Sequence, residues 1–238
     1  MADAHRPHPH DTVLFDVDGT LVDSTYHHAL AWHRAFAHHG IQVPMWKVHR
    51  AIGMGGDRLV AAVAGDDVER RLGDALRSEW EKGYDELIDE VQPLPGAAAL
   101  VRSLVERGFI VALGSSGKPG HTSTAVERLG VGDLLAAVTT SEDAESSKPA
   151  PDILSAALEQ AGGRSAIVVG DSTFDIASAA RLGFPCVGIR TGGFGVDELR
   201  GAGAVLVCDG LPDLLHADWD GLVEAVPPEG AEHDPELP

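Results

Sequence analysis

Asp16 and Asp18 stand one residue apart at the end of a short apolar run, in "VLFDVDGTLVDS". Carboxylates in this arrangement can serve as nucleophile and acid–base, or can share a hard cation. Further along, Ser115 and Ser116 close the run "FIVALGSS", and Asp171 closes "AIVVGD", with Asp175 four residues beyond it. An aspartate pair at a strand end is also ordinary turn or helix-capping chemistry. Three strand ends finished with hydroxyl or carboxylate groups are harder to explain that way. Brought together, Asp16, Asp18 and Asp171 would push up one another's pKa, and a divalent cation such as Mg²⁺ relieves that repulsion. If a helix has already begun at Asp171, Asp175 shares its face. Lys148, in "SSKPAPD", precedes prolines that fix the chain as it enters a helix. It is a compact cation able to hold both a carboxylate and a phosphoryl oxygen.

Such groups need a rigid platform. The runs "TVLFD", "FIVALG", "AAVTT", "AIVVG", "PCVGI" and "AVLVC" are short, mostly apolar and without alternation, as strands covered on both faces are. Helical patterns separate them at 96–106, 119–129, 151–160 and 173–182. This predicts an α/β fold, a Rossmann-like doubly wound parallel sheet whose ligands bind beyond the carboxyl ends of the strands. One stretch breaks the rhythm. From 24 to 91 the patterning is helical, with Gly40 ending one helix and "VQPLPG" marking the return. The expected organisation is a catalytic core over 1–23 and 92–226, a small helical domain over 24–91, and a disordered acidic tail over 227–238.

The chain has 238 residues and a formal charge of −19, which argues against general binding to nucleic acid or an anionic membrane. No window approaches a membrane-spanning length, and Cys186 and Cys208 read as buried thiols. A cytoplasmic protein is expected. His5, His8 and His10 belong to a polar leader in this reading, with adventitious metal binding as the other possibility. Trp32, Trp46, Trp80 and Trp219 read as packing residues.

The segments "FDVDGTLVDS", "VALGSS", "SKPAPD" and "GDSTFD" occur in this order. Together they resemble the motifs of the haloacid dehalogenase superfamily. The helical segment after the first motif resembles the α-helical cap of the phosphoglycolate phosphatase and β-phosphoglucomutase-like group. The resemblance implies that Asp16 is a nucleophile forming an aspartyl phosphate and that Asp18 is general acid and then base. It implies Mg²⁺ bound by the Asp16 and Asp171 carboxylates and the Asp18 main-chain carbonyl, with Asp175 as ligand or support. Ser115, the N–H groups of Ser116 and Gly117, and Lys148 would cradle the phosphoryl group. Asp18 speaks against a dehalogenase or phosphonatase. Gly170 before Asp171, where mutases typically carry Glu, favours a phosphatase of small phosphorylated metabolites over a β-phosphoglucomutase-like mutase. A phosphate-ligand-binding protein without turnover on the same scaffold is the remaining alternative. In the helical segment, His28 would touch substrate or help position Asp18. The glycine-rich loop with Gly55 and Gly56 would reach over the site, and Arg58 would stand in for the mutase loop arginine.

Overall fold

The computed structural model describes residues 10–235 and 237. Six parallel strands form one sheet in the order β3-β2-β1-β4-β5-β6. They are β1 (Thr12–Phe15), β2 (Ile110–Gly114), β3 (Ala137–Thr139), β4 (Ala166–Gly170), β5 (Cys186–Ile189) and β6 (Leu206–Cys208). All six predicted runs are strands. Every residue of β1 is fully buried, the condition that selects unbroken apolar sequence. The register pairs Phe15 with Leu113 on one side and Val169 on the other, so β1, β2 and β4 end level with one another.

The faces are covered separately. Val13, Phe15, Val111 and Ile167 meet α5 (Ala97–Glu106) and α6 (Pro119–Leu129) through Leu100, Leu104 and Leu129. Leu14, Ala112 and Val168 meet α7 (Asp152–Ala161) and α8 (Thr173–Arg181) through Leu154, Ala157 and Ile176. Each large aliphatic side chain buried this way contributes about 1.5–3 kcal/mol. Short helices α9 (Val196–Gly201), α10 (Leu211–Leu214) and α11 (Trp219–Val223) complete the flanks.

Four helices lie between β1 and α5: α1 (Thr25–His38), α2 (Met45–Arg50), α3 (Gly56–Ala64) and α4 (Asp66–Asp85). Gly40, at φ 72°, follows α1 in the left-handed conformation expected of a helix-ending glycine. Trp32 on α1 stacks on Trp80 on α4 at 5.1 Å between centroids, and both are buried. The chain enters and leaves this insert side by side: Asp23 N–H donates to Gln92 O at 2.9 Å, and Leu94 N–H donates to Leu21 O at 2.9 Å.

Some expectations hold and others fail. The acidic tail is not loose over its described length: Arg181 donates to Glu232 O at 2.9 Å and pairs with Asp234 at 2.6 Å, and Ala231 is buried. A guanidinium facing the acidic stretch supplies what composition alone did not reveal. His10 is held by Ser165 Oγ at 2.6 Å and Ala225 O at 3.2 Å, whereas His5 and His8 lie outside the described residues. Cys186 is buried and Cys208 half-buried; neither is in a disulfide. Trp46 is 52% exposed and does not serve packing. No helix among the described residues is long and apolar enough to cross a membrane.

Candidate active site

Level strand ends bring distant residues together. Asp16 follows β1 and its N–H donates to Val169 O at 3.0 Å, while Ser115 follows β2 and its N–H donates to Thr139 O at 3.1 Å. Asp171 follows β4, and Lys148 arrives on the loop between β3 and α7. Val17, between the two aspartates, is buried in the core as alternation at the strand end requires.

Lys148 is fully buried. Its ammonium lies against Asp16 Oδ1 and 2.8 Å from Asp175 Oδ1. Burial pushes the Asp16 pKa up to about 7, with Lys148 opposing the rise and Asp175 and Asp18 adding to it. Asp171 is driven well above the ordinary carboxylate range by burial and then by Asp175 and Asp16. Burial alone would lower the Lys148 pKa, but Asp16 and Asp175 hold it above the usual lysine value. One oxygen each of Asp16, Asp171 and Asp175 falls within 4.8 Å of the others, and all three residues are buried. Three carboxylates facing one ammonium form an oxygen-rich, electron-rich set that fits a hard divalent cation.

Asp175 reaches this set by a different route from the one expected. Asp171 precedes the helix rather than lying on it. Ser172 is the N-cap of α8 and Asp175 occupies its first turn, in a capping box: Ser172 N–H donates to Asp175 Oδ2 at 3.1 Å, Asp175 N–H donates back to Ser172 Oγ at 3.3 Å, and Ser172 Oγ adds a bond to Asp175 Oδ2 at 2.6 Å. With Oδ2 taken by the cap and Oδ1 by Lys148, Asp175 is chiefly the anchor of the lysine.

The Asp18 carboxylate faces the other way, outside the cation-sized group. Its Oδ1 accepts from Ser24 Oγ at 2.7 Å and lies 3.0 Å from His28 Nε2; its Oδ2 lies 3.5 Å from Ser115 Oγ. Burial would raise the Asp18 pKa, yet the His28 ring and the hydrogen bonds from His28 and Ser24 hold it at about 2. His28 is itself buried and stacked on Tyr84 at 3.8 Å, so its ring orientation is fixed by packing.

The insert closes the site from above. A chamber of about 50 Å³ lies between Asp16, Asp18 and Gly117 of the core and His28, Gly55 and Gly56 of the insert. Gly117 N–H already donates to Ser115 Oγ at 2.9 Å, so it shapes the serine rather than offering a spare donor. Arg58 is not in this chamber; it lines a separate surface depression with Ala61, Asp66 and Pro149. Its neighbour Asp57 borders the same depression and also reaches a larger cavity beside the chamber.

Several contributors escaped the sequence reading. Ser147, beside Lys148, donates from Oγ to Asp57 Oδ1 at 2.5 Å and from N–H to Asp57 Oδ2 at 3.3 Å. The same Oγ accepts Gly55 N–H at 3.0 Å. A Cβ on Gly55 would collide with the Ser147 side chain, so the close approach requires glycine there. Asp171 is enclosed by Gly19, at φ 80°, and Gly192, at each of which a Cβ would overlap its carboxylate. Thr191 Oγ1 donates to Gly19 O, which ties those two loops together. The paired glycines after β5 were the visible signal.

The family model described as haloacid dehalogenase-like hydrolase matches residues 13–189. A phosphoglycolate phosphatase of Yersinia pseudotuberculosis is 29% identical over 226 residues, covering 90% of this chain and 92% of that protein. A validoxylamine A 7'-phosphate phosphatase of Streptomyces hygroscopicus subsp. limoneus is 29% identical over 192 residues, covering 75% and 84%. The crystal structure of a hydrolase from Pseudomonas syringae superposes with a TM-score of 0.82 at 29% identity, over 86% of this chain and 96% of that one.

Proposed function

Because the chain belongs to the haloacid dehalogenase-like hydrolase family, we propose that it is a Mg²⁺-dependent phosphatase of small phosphate monoesters, working through an aspartyl phosphate. A carboxylate oxygen of Asp16 attacks phosphorus in line, and the bond from phosphorus to the alcohol oxygen breaks. Asp18 gives its proton to that departing oxygen, then takes one from the water that cleaves the acyl phosphate. The resting Asp18 is ionised, the form the second step uses. For the first step it must carry a proton, which an incoming phosphate dianion favours.

Lys148 holds Asp16 in place and neutralises phosphoryl oxygens, assisted by the Ser115 hydroxyl and the Ser116 N–H. Asp16, Asp171 and the Asp18 carbonyl would hold Mg²⁺, which when bound keeps Asp16 ionised and offsets charge on the transferring group. His28 and Ser24 orient the Asp18 carboxylate. The helical insert over 24–91 acts as a cap on a core of 1–23 and 92–226, and its closure excludes water. The expected partner is a small phosphorylated metabolite in the cytoplasm, rather than nucleic acid or a membrane.

The observation that carries this reading is the meeting of Asp16, Asp171, Asp175 and Lys148 from separate strand ends and loops in one buried cluster. Phosphate release from a panel of monoesters, with and without EDTA, tests it. Release that stops with EDTA and returns with added Mg²⁺ is expected; release indifferent to the chelator contradicts the role of the cation. The same panel with a sugar bisphosphate primer tests for a mutase, which would interconvert isomers without net phosphate release.

A further inference from the structure

Beside the nucleophile's chamber lies a second, larger cavity of about 230 Å³, reached across Gly55, Gly56, Trp80 and Ser116, which line both. Insert and core each build one wall. Asp57, Arg77 and Trp80 come from the insert, and Lys118, Glu145 and a row of serines (Ser141, Ser146 and Ser147) come from the core. A leaving group at Asp16 that outgrows the smaller chamber can extend in this direction.

The wall has two cations, and neither is free. Arg77 pairs with Glu69 at 2.9 Å and Asp74 at 2.9 Å and donates to Gly56 O at 2.9 Å. Lys118 pairs with Glu81 at 2.6 Å. The wall itself carries two carboxylates, Asp57 and Glu145, while Glu69, Asp74 and Glu81 occupy the two cations from outside it. Glu145 has no ion pair among the described residues. A carboxylate or second phosphate placed here would meet an unpaired Glu145 and no cation free of a carboxylate partner.

The uncommitted groups suit something else. The Ser141 and Ser146 hydroxyls can donate to and accept from substrate hydroxyls, and the Glu145 carboxylate can accept from them, while Asp57 is held by Ser147 and adds its charge. Two polar atoms at the junction of the chambers, Trp80 Nε1 and Ser116 Oγ, are buried with no hydrogen-bond partner. The Trp80 side chain is buried and supplies an apolar face.

We propose that this cavity receives an uncharged, polyhydroxylated leaving group, so that the substrate is the monophosphate of a sugar or cyclitol rather than of a small carboxylic acid or a bisphosphate. This rests on the phosphatase reading above and narrows it. Glu145 and Asp57 then act as specificity determinants through their charge.

The test compares kcat/KM, with Mg²⁺ present, for hexose, pentose and inositol monophosphates, phosphoglycolate and a hexose bisphosphate, alongside p-nitrophenyl phosphate as a generic ester. At least one polyol monophosphate should exceed both phosphoglycolate and the bisphosphate by about tenfold or more. In Glu145→Lys the ratio of phosphoglycolate to polyol phosphate should rise several-fold. Preference for phosphoglycolate or the bisphosphate, with p-nitrophenyl phosphate also cleaved, overturns the substrate class and leaves the phosphatase reading standing. A ratio unmoved by Glu145→Lys overturns the role of this wall. No phosphate release from any ester overturns the phosphatase reading, and the inference with it.

Discussion

The two halves of the site are built on opposite plans. The core half places charged side chains at level strand ends, where Asp16, Asp171, Asp175 and Lys148 are almost wholly buried and paired with one another. The insert half presents glycine backbone, stacked aromatic rings and hydrogen bonds to core loops, as in the Gly55–Ser147–Asp57 contact and the His28–Tyr84 stack. Groups whose misplacement by an ångström would stop phosphoryl transfer sit on the sheet. Groups that would part if the insert opens as proposed are held by hydrogen bonds and ring contacts between the two halves.

Substitutions should separate the halves by size of effect. Asp16→Asn should lower single-turnover phosphate release by about 10⁴-fold or more, with an unchanged circular dichroism spectrum. Substantial remaining turnover would remove the nucleophile from the core half. Lys148→Met should lower kcat by about 10³-fold. It should also lower the melting temperature in EDTA, because unpairing buried carboxylates costs about 3–5 kcal/mol. Added Mg²⁺ should restore part of that stability, and a melting curve blind to Mg²⁺ would speak against a cation among these acids.

Effects in the insert half should be smaller and fall differently. Asp57→Ala removes the acceptor of both Ser147 donors and should raise KM by about tenfold, more than it lowers kcat. Asp57→Asn keeps an acceptor oxygen and should recover most of the loss. A fall in kcat alone would make Asp57 part of the chemical machinery instead of the closure contact. Smallest of all, Arg50→Ala breaks the 2.5 Å pair with Glu198 at the rim, and kcat/KM should change less than about twofold, as is usual for exposed pairs.

This contrast also explains what could be read from the sequence. The four central strands were legible because burial on both faces leaves no polar alternation, and the core carboxylates Asp16 and Asp171 because they fall directly after two of them. His28 could be named as a candidate from its place on α1, but not the ring of Tyr84 that fixes it. The Asp57–Ser147 contact joins two ordinary polar residues 90 positions apart, with no periodicity to announce it. Arg58 drew attention as a cation, although it is the neighbouring carboxylate that reaches the cavity beside the site. Helices α9, α10 and α11 span six, four and five residues, too short for a repeating apolar stripe. The tail misled because its composition resembles unfolded chain, while its partner Arg181 lies 53 residues from Asp234.

The enclosure of Asp171 by Gly19 and Gly192 has a bearing on how variants of this protein would be selected. A saturation library scored for activity should lose nearly every allele at these two positions, although neither has a side chain to contribute to catalysis. Directed evolution towards new substrates would find its freedom elsewhere, on the walls of the larger cavity.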